Sequence, residues 1–119
     1  MQKRFAFINV WRPITKEPVQ VKPLAVCDTN SVDKDELLVY ELRYAHRAGA
    51  NYSLAANSKH SWYFYPQQMK NECLLFFVFD KDKDGKSPVF HTAFDLPEFI
   101  PGAPDRESIE IRTIACFDE

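Results

Sequence analysis

Apolar and polar positions alternate along this chain in short stretches, with a period of two almost throughout. In "RFAFINVWRPI", Phe5, Phe7, Asn9 and Trp11 fall on one side of an extended segment, and Ala6, Ile8, Val10 and Arg12 on the other. Successive side chains of a strand point to opposite faces, so this pattern predicts a strand. Pro13 has no N–H to give to a ladder, which confines the strand to a sheet edge or sets the proline at its end. A second extended stretch, "PVQVKPLAVCD" (Pro18–Asp28), is broken by Pro23 and followed by the polar turn "DTNS". In "DKDELLVYELRYAHRAG", Asp33 and Glu36 have the spacing of a capping box, while Val39, Tyr40 and Tyr44 suit a strand. This segment reads as a short helical turn followed by extended chain, closed by Gly49. Five more runs have strand lengths: "NYSLAA", "HSWYFYP", "ECLLFFVFD", "SPVFHTAFD" and "ESIEIRTIACF". Short strands at regular spacing with turn residues between them predict a mainly β domain, a sandwich or barrel.

Composition narrows this picture. The 119 residues suffice for one domain with one core, and an apolar fraction of 45% with ten Phe, five Tyr and two Trp is enough to fill it. The net charge of −2 is made of interspersed acids and bases with no basic stripe, which argues against nucleic acid as a partner. The longest apolar run, "CLLFFVF", is far shorter than a membrane span and reads as a buried strand. Cys27, Cys73 and Cys116 are odd in number and contain no Cys-x-x-Cys pair. That argues against a disulfide framework or structural zinc, and for a reducing, cytoplasmic compartment. The strand pattern begins almost at Met1, from which we expect the chain to be part of something larger.

The sequence offers three kinds of chemistry. "DKDKDG" (Asp80–Gly85) matches the first half of a calcium loop, with Asp80, Asp82, Asp84 and Gly85 in place. The bidentate glutamate such a loop needs at its twelfth position is His91 here, and the preceding "LLFFVF" is strand-like, not helical. A charged hairpin turn is the better reading. No serine sits in a Gly-x-Ser-x-Gly elbow, and apolar surroundings keep the cysteines as neutral thiols.

Metal ligation remains. Non-haem iron oxygenases hold iron with two histidines and one carboxylate on one face, leaving the other positions open. The first two ligands come as His-x-Asp or His-x-Glu, and neither follows His46, His60 or His91. The distal half of such a site is a histidine near a strand end, then Arg-x-Ser a short distance later. Arg106-Glu107-Ser108 begins fifteen positions after His91. The planar guanidinium bonds a carboxylate at two points and stays charged, and the serine hydroxyl adds a third bond. Taken alone, a histidine at a strand end is more often structural, and Arg-x-Ser is common.

With these blocks in place the sequence resembles the fungal and bacterial hydroxylase/desaturase family, which includes gibberellin-desaturase-like and cephem-methoxylase-like proteins. The resemblance is carried by "NVWRPI", "PLAVCD", "HSWYFYP", "NECLLFFVFD", "HTAFDLP" and "RESIEIR", in order along nearly the whole chain. "GAN" at Gly49–Asn51 departs from the family's usual Gly-Glu. The resemblance implies a double-stranded β-helix (jelly-roll) oxygenase barrel, incomplete on its N-terminal side, with residues 1–119 as the C-terminal portion of the domain. It implies iron(II) and 2-oxoglutarate as cofactors, with His91 as the distal iron ligand and Arg106 and Ser108 gripping the far carboxylate of 2-oxoglutarate. Asn9, Trp11, His60, Trp62 and Tyr63 are the candidates to line the substrate pocket, each with barrel core or a structural role as the plainer alternative. The implied reaction is oxidative: hydroxylation, desaturation or oxygen insertion on a small metabolite of secondary metabolism.

Two readings follow. In the first the chain acts as an oxygenase with a missing N-terminal half or a partner chain supplying His-x-Asp. In the second it is a truncated, non-catalytic remnant, an interaction module at most, whose unpaired sheet edges pair with other chains. One histidine without a carboxylate would hold iron(II) weakly.

Overall fold

The computed structural model describes residues 3–82, 88–98 and 100–118. Within them lie eight strands: β1 (Phe5–Pro13), β2 (Leu24–Cys27), β3 (Leu37–Tyr44), β4 (Arg47–Leu54), β5 (Trp62–Phe64), β6 (Leu74–Asp80), β7 (His91–Ala93) and β8 (Ser108–Cys116). Two single-turn 3-10 helices, Thr29–Ser31 and Lys34–Glu36, separate β2 from β3.

Every strand pairing is antiparallel, and the strands form three sheets, ordered β6-β1-β8, β5-β2-β7 and β3-β4. β1 is the central strand of its sheet, with Pro13 at its last position opposite Ser108, where the missing N–H breaks no interior ladder bond. Opposite β1 the register of β6 shifts: Phe7 faces Phe79 while Ile8 faces Phe77, so Val78 is an extra, bulged residue. On the Phe79 side of the bulge, Phe5, Phe7 and Phe79 gather with ring centroids 5.5–5.7 Å apart. On the other side Asn9 and Trp11 are buried beside Phe76 and Leu74.

The two three-stranded sheets share one core. Trp11 of β1, Phe76 of β6 and Leu24 of β2 are buried together, with Val26, Leu74, Val78 and Val89 packed against them. Residues from both sheets meet here, as in a β-sandwich whose inner faces interdigitate.

The strands are shorter and turn elsewhere than the sequence pattern predicts. Of Pro18–Asp28 only Leu24–Cys27 forms a strand, because Pro18 and Pro23 lack donors and Lys22 turns through a positive φ of 48°. "SPVFHTAFD" contributes only His91–Ala93. The turn expected after Asp80 lies partly outside the described residues; beyond it the Val89 N–H donates to the Phe77 carbonyl of β6 at 2.9 Å, and β7 then joins the other sheet. Asp84 and Gly85 lie outside the described residues, while Asp80 and Asp82 are both engaged by Arg4, at 3.0 and 3.3 Å. Gly49 does not close its segment. It sits inside β4 opposite Leu42, and the hairpin turns at Ala45–His46. The helical turn before β3 is present, and its capping box forms, with the Asp33 N–H donating to Glu36 Oε2 at 3.0 Å.

Candidate metal and carboxylate site

The chemistry-bearing residues converge where the inner face of β1 and β8 meets β7. Asn9 and Trp11 project from β1 on the same face, because two residues separate like-facing positions. The register sets Arg112 of β8 beside Asn9 and Glu110 beside Trp11. β7 brings His91 in from the other sheet, with its imidazole packed on the Phe76 ring at a centroid distance of 4.6 Å.

His91 is held on three sides. Its Nδ1 lies 3.0 Å from the Val89 carbonyl, its ring rests on Phe76, and its Nε2 lies 3.6 Å from Glu110 Oε1. A carbonyl can only accept, so the proton of the neutral ring sits on Nδ1 and the Nε2 lone pair is left available. That is the arrangement in which a protein orients a metal-binding histidine. Glu110 is itself held: Asn9 Nδ2 donates to Glu110 Oε1, and Arg112 Nε donates to Asn9 Oδ1 at 3.3 Å. Asn9 is 1% exposed, so the middle member of this chain is buried while Glu110 and Arg112 on either side of it reach the surface.

Arg106 enters from the connection before β8. Its guanidinium lies over the Trp11 indole, 5.3 Å from the ring centroid. Its Nε and Nη1 are both buried, and neither has a hydrogen-bond partner. Leaving two donors of a cation buried and unpaired is costly, and an exception of this kind marks a place for an absent acceptor. Ser108 opens β8 opposite Pro13, two positions from Arg106. The donor chemistry therefore fits a carboxylate at Arg106 and a metal ion at His91 Nε2.

The other candidates are placed differently. Val26 pairs with Tyr63 on one side and His91 on the other, so the register puts Tyr63 on the same sheet face as His91, two strand spacings or roughly 10 Å away. Trp62 pairs with Cys27 and faces the opposite side. Both are exposed. His60 is tied elsewhere, its Nε2 lying 2.8 Å from Glu36 Oε2 with the imidazole buried. Asn57 Nδ2 also donates to Glu36. The bond from His60, then those from the Asp33 N–H and Asn57, bring the Glu36 carboxyl down from its usual 4.5 to about 2, against the opposing effect of burial. This cluster fastens the turn before β3 to the loop before β5.

Glu110, Asn9 in its bonding role, Arg112 and Phe76 complete the site. Only Asn9 of these was singled out from the sequence. Glu110 and Arg112 alternate with Ser108 along "SIEIR", a two-residue period that could have marked them as sharing its face. Among the described residues no three His, Cys, Asp or Glu side chains come together as a metal site. No helix there is long and apolar enough to cross a membrane.

A family described as "Oxidoreductase/YMDC permease-like domain" matches residues 1–116. The chain is 35% identical to "Hydroxylase/desaturase CTB9" of Cercospora beticola, over 98% of this chain and 38% of that protein. It is 34% identical to "Fe(II)/2-oxoglutarate-dependent dioxygenase nvfI" of Aspergillus novofumigatus, over 96% of this chain and 41% of that one. This chain belongs to the hydroxylase/desaturase family. The solved structure titled "iron and alpha-ketoglutarate-dependent endoperoxidase NvfI" superimposes on 97% of it with a TM-score of 0.84 and 30% identity, using 43% of that chain. The family's oxygenase fold is thus mainly β here and only partly represented. The chain spans about two fifths of the length of the hydroxylase/desaturases and dioxygenases just named.

Proposed function

We propose that this chain is a portion of an iron(II)/2-oxoglutarate-dependent oxygenase acting on a small metabolite, the portion that carries one metal ligand and the 2-oxoglutarate anchor. The observation that supports this most strongly is Arg106, whose Nε and Nη1 are buried beside Trp11 with no acceptor. A carboxylate placed there satisfies both donors, and Ser108 is close along the chain to assist. His91, with its proton drawn to Nδ1 by the Val89 carbonyl, presents Nε2 to iron. When bound, iron(II) with 2-oxoglutarate supplies the oxidation of a carbon–hydrogen bond, coupled to decarboxylation of the co-substrate. The protein's part is to hold the ligand ring, grip the far carboxylate and exclude water, which buried Asn9, Trp11 and Phe76 do along one wall.

The remaining iron ligands come, on this reading, from a region or partner outside these residues, and the isolated chain does not couple decarboxylation to oxidation. The test is a calorimetric titration of 2-oxoglutarate into the chain. Arg106→Ala is expected to weaken binding about ten- to a hundredfold, the value of losing charge-assisted hydrogen bonds of about 1.5–3 kcal/mol. An unchanged affinity removes Arg106 from the site. If the wild-type chain takes up no 2-oxoglutarate, the reading as a non-catalytic remnant stands in its place.

A further inference from the structure

β3 and β4 form a sheet of two strands, and among the described residues no strand pairs with the outer edge of β3. We propose that two copies of the chain associate along this edge, β3 of one pairing antiparallel with β3 of the other about a two-fold axis at Leu42. The product is a continuous four-stranded sheet with an interface that is the same on both copies. None of the residues involved belongs to the metal and carboxylate site, so the pairing is independent of that reading.

The residues of β3 select the partner. Tyr40-Glu41-Leu42-Arg43-Tyr44 is symmetric about Leu42, with a tyrosine at each end and opposite charges between. Laid antiparallel on a second copy, it sets Glu41 against Arg43, Arg43 against Glu41, Tyr40 against Tyr44 and Leu42 against itself. Opposite charges and aromatic rings facing across a strand pair are each stabilising. The backbone allows the same register. Tyr44 and Arg47 bond each other across the two-residue turn, and the main-chain groups of β3 alternate from there, so those of Arg43, Glu41 and Val39 point away from β4. Outward groups bond only outward groups, which makes two residues the smallest slip. A slip in one direction sets Glu41 against Glu41, and in the other Arg43 against Arg43, and like charges directly opposite are destabilising.

The edge is also open and apolar. Leu38, Val39, Tyr40 and Tyr44 are 46–62% exposed, and an open strand edge of this kind is a template for pairing. Leu38, Tyr40, Leu42 and Tyr44 share one face, so pairing joins their stripe to that of the second copy. On the other face Arg43 Nε and Nη2 donate to Glu41 Oε2 at 3.1 and 2.9 Å, which holds both charges beside the edge. β4 offers no such choice. Arg47 is its one charged residue, so pairing β4 with β4 brings no opposite charges together. The hairpin leaves the body from a fastened base, where the Ala55 N–H donates to the Glu36 carbonyl at 3.0 Å and His60 holds the Glu36 side chain.

Sedimentation equilibrium of the whole chain at low salt tests the pairing. The wild type is expected to form a dimer. Glu41→Arg and Arg43→Glu each set like charges opposite one another at two places across the axis, and each is expected to weaken the dimer about tenfold or more. The double variant Glu41→Arg/Arg43→Glu restores opposite charges and is expected to associate as the wild type does. Mixing the two single variants is expected to restore the dimer as well, because every charged pair across the axis is then Arg against Glu. An effect confined to one chain gives no such rescue. If either single variant does not fold, Leu42→Cys supplies a second measurement. Leu42 meets its own copy in a close pair with Cα atoms about 4.5 Å apart, within disulfide range. The oxidised variant is expected to run as a covalent dimer to a far greater extent than the wild type, whose Cys73 and Cys116 are exposed. A wild-type chain that stays monomeric at about 0.1 mM overturns the proposal and leaves the edge to another occupant, such as a strand from outside these residues. A dimer of undiminished strength in both single variants, a mixture that does not re-associate, or a Leu42→Cys chain that cross-links no more than the wild type overturns it too.

Discussion

The guanidinium of Arg106 lies 5.3 Å from the centre of the Trp11 indole, with two of its nitrogens buried and unpaired. The indole face attracts the cation but cannot accept its N–H groups as an oxygen would. Arg106 is therefore a residue whose presence weakens the empty chain and whose use lies in what it binds.

That imbalance predicts an unusual substitution. Arg106→Met replaces a half-buried guanidinium, two of whose nitrogens are buried and unpaired, with an apolar side chain of similar length, and we expect it to leave stability unchanged or raise it by about 1 kcal/mol. The urea midpoint measures this. A loss of more than about 1 kcal/mol would mean that the guanidinium is already satisfied, contrary to its exposure and bonding here.

Trp11 itself is expected to behave in the opposite way. It is 3% exposed and forms the shared core with Leu24 and Phe76. Trp11→Ala removes the side chain that joins the two sheets and should destabilise the fold by about 3–5 kcal/mol. Denaturant unfolding checks it, and a loss below about 1 kcal/mol would show that the two sheets do not depend on this core.

The His60–Glu36 contact makes stability depend on acid. The folded-state pKa of Glu36 is depressed to about 2 from its usual 4.5, so the unfolded chain takes up a proton over a range where the folded chain does not. The stabilisation is fully present above about pH 4.5 and is lost as the pH falls through about 2. Unfolding midpoints measured across that window should fall for the wild type. In Glu36→Gln they should fall less steeply, since the substituted group no longer titrates, and identical slopes would contradict the role given to this pair.

Much of the fold can be read directly from residue order. Alternation identified β1, which has a buried and an open side, and a period of two leaves its mark on such a strand. The apolar run of β6 marked it as a strand, although Leu75 and Phe79 are exposed instead of buried. The capping box at Asp33 and Glu36 is equally local, a matter of three-residue spacing. Residue order is silent where pairing partners lie far apart in the chain. Nothing near Asp80 says that β6 and β7 join different sheets, and the proline-broken segments around Leu24 and His91 are strands only for as long as a neighbour offers a ladder.

The site divides along the same line. By itself the sequence determined the family blocks, the histidine at the head of β7 and the Arg-x-Ser before β8, since these are short motifs whose meaning is carried by residue type and spacing. Tertiary structure alone decided what those residues meet. It set Glu110 against His91, threaded Asn9 between Glu110 and Arg112, left Arg106 without an acceptor, and turned His60 toward Glu36. The reason is physical: a hydrogen bond or a ligand pair depends on ångström-scale distances between side chains, and those are fixed by strand register and sheet packing, not by position along the chain.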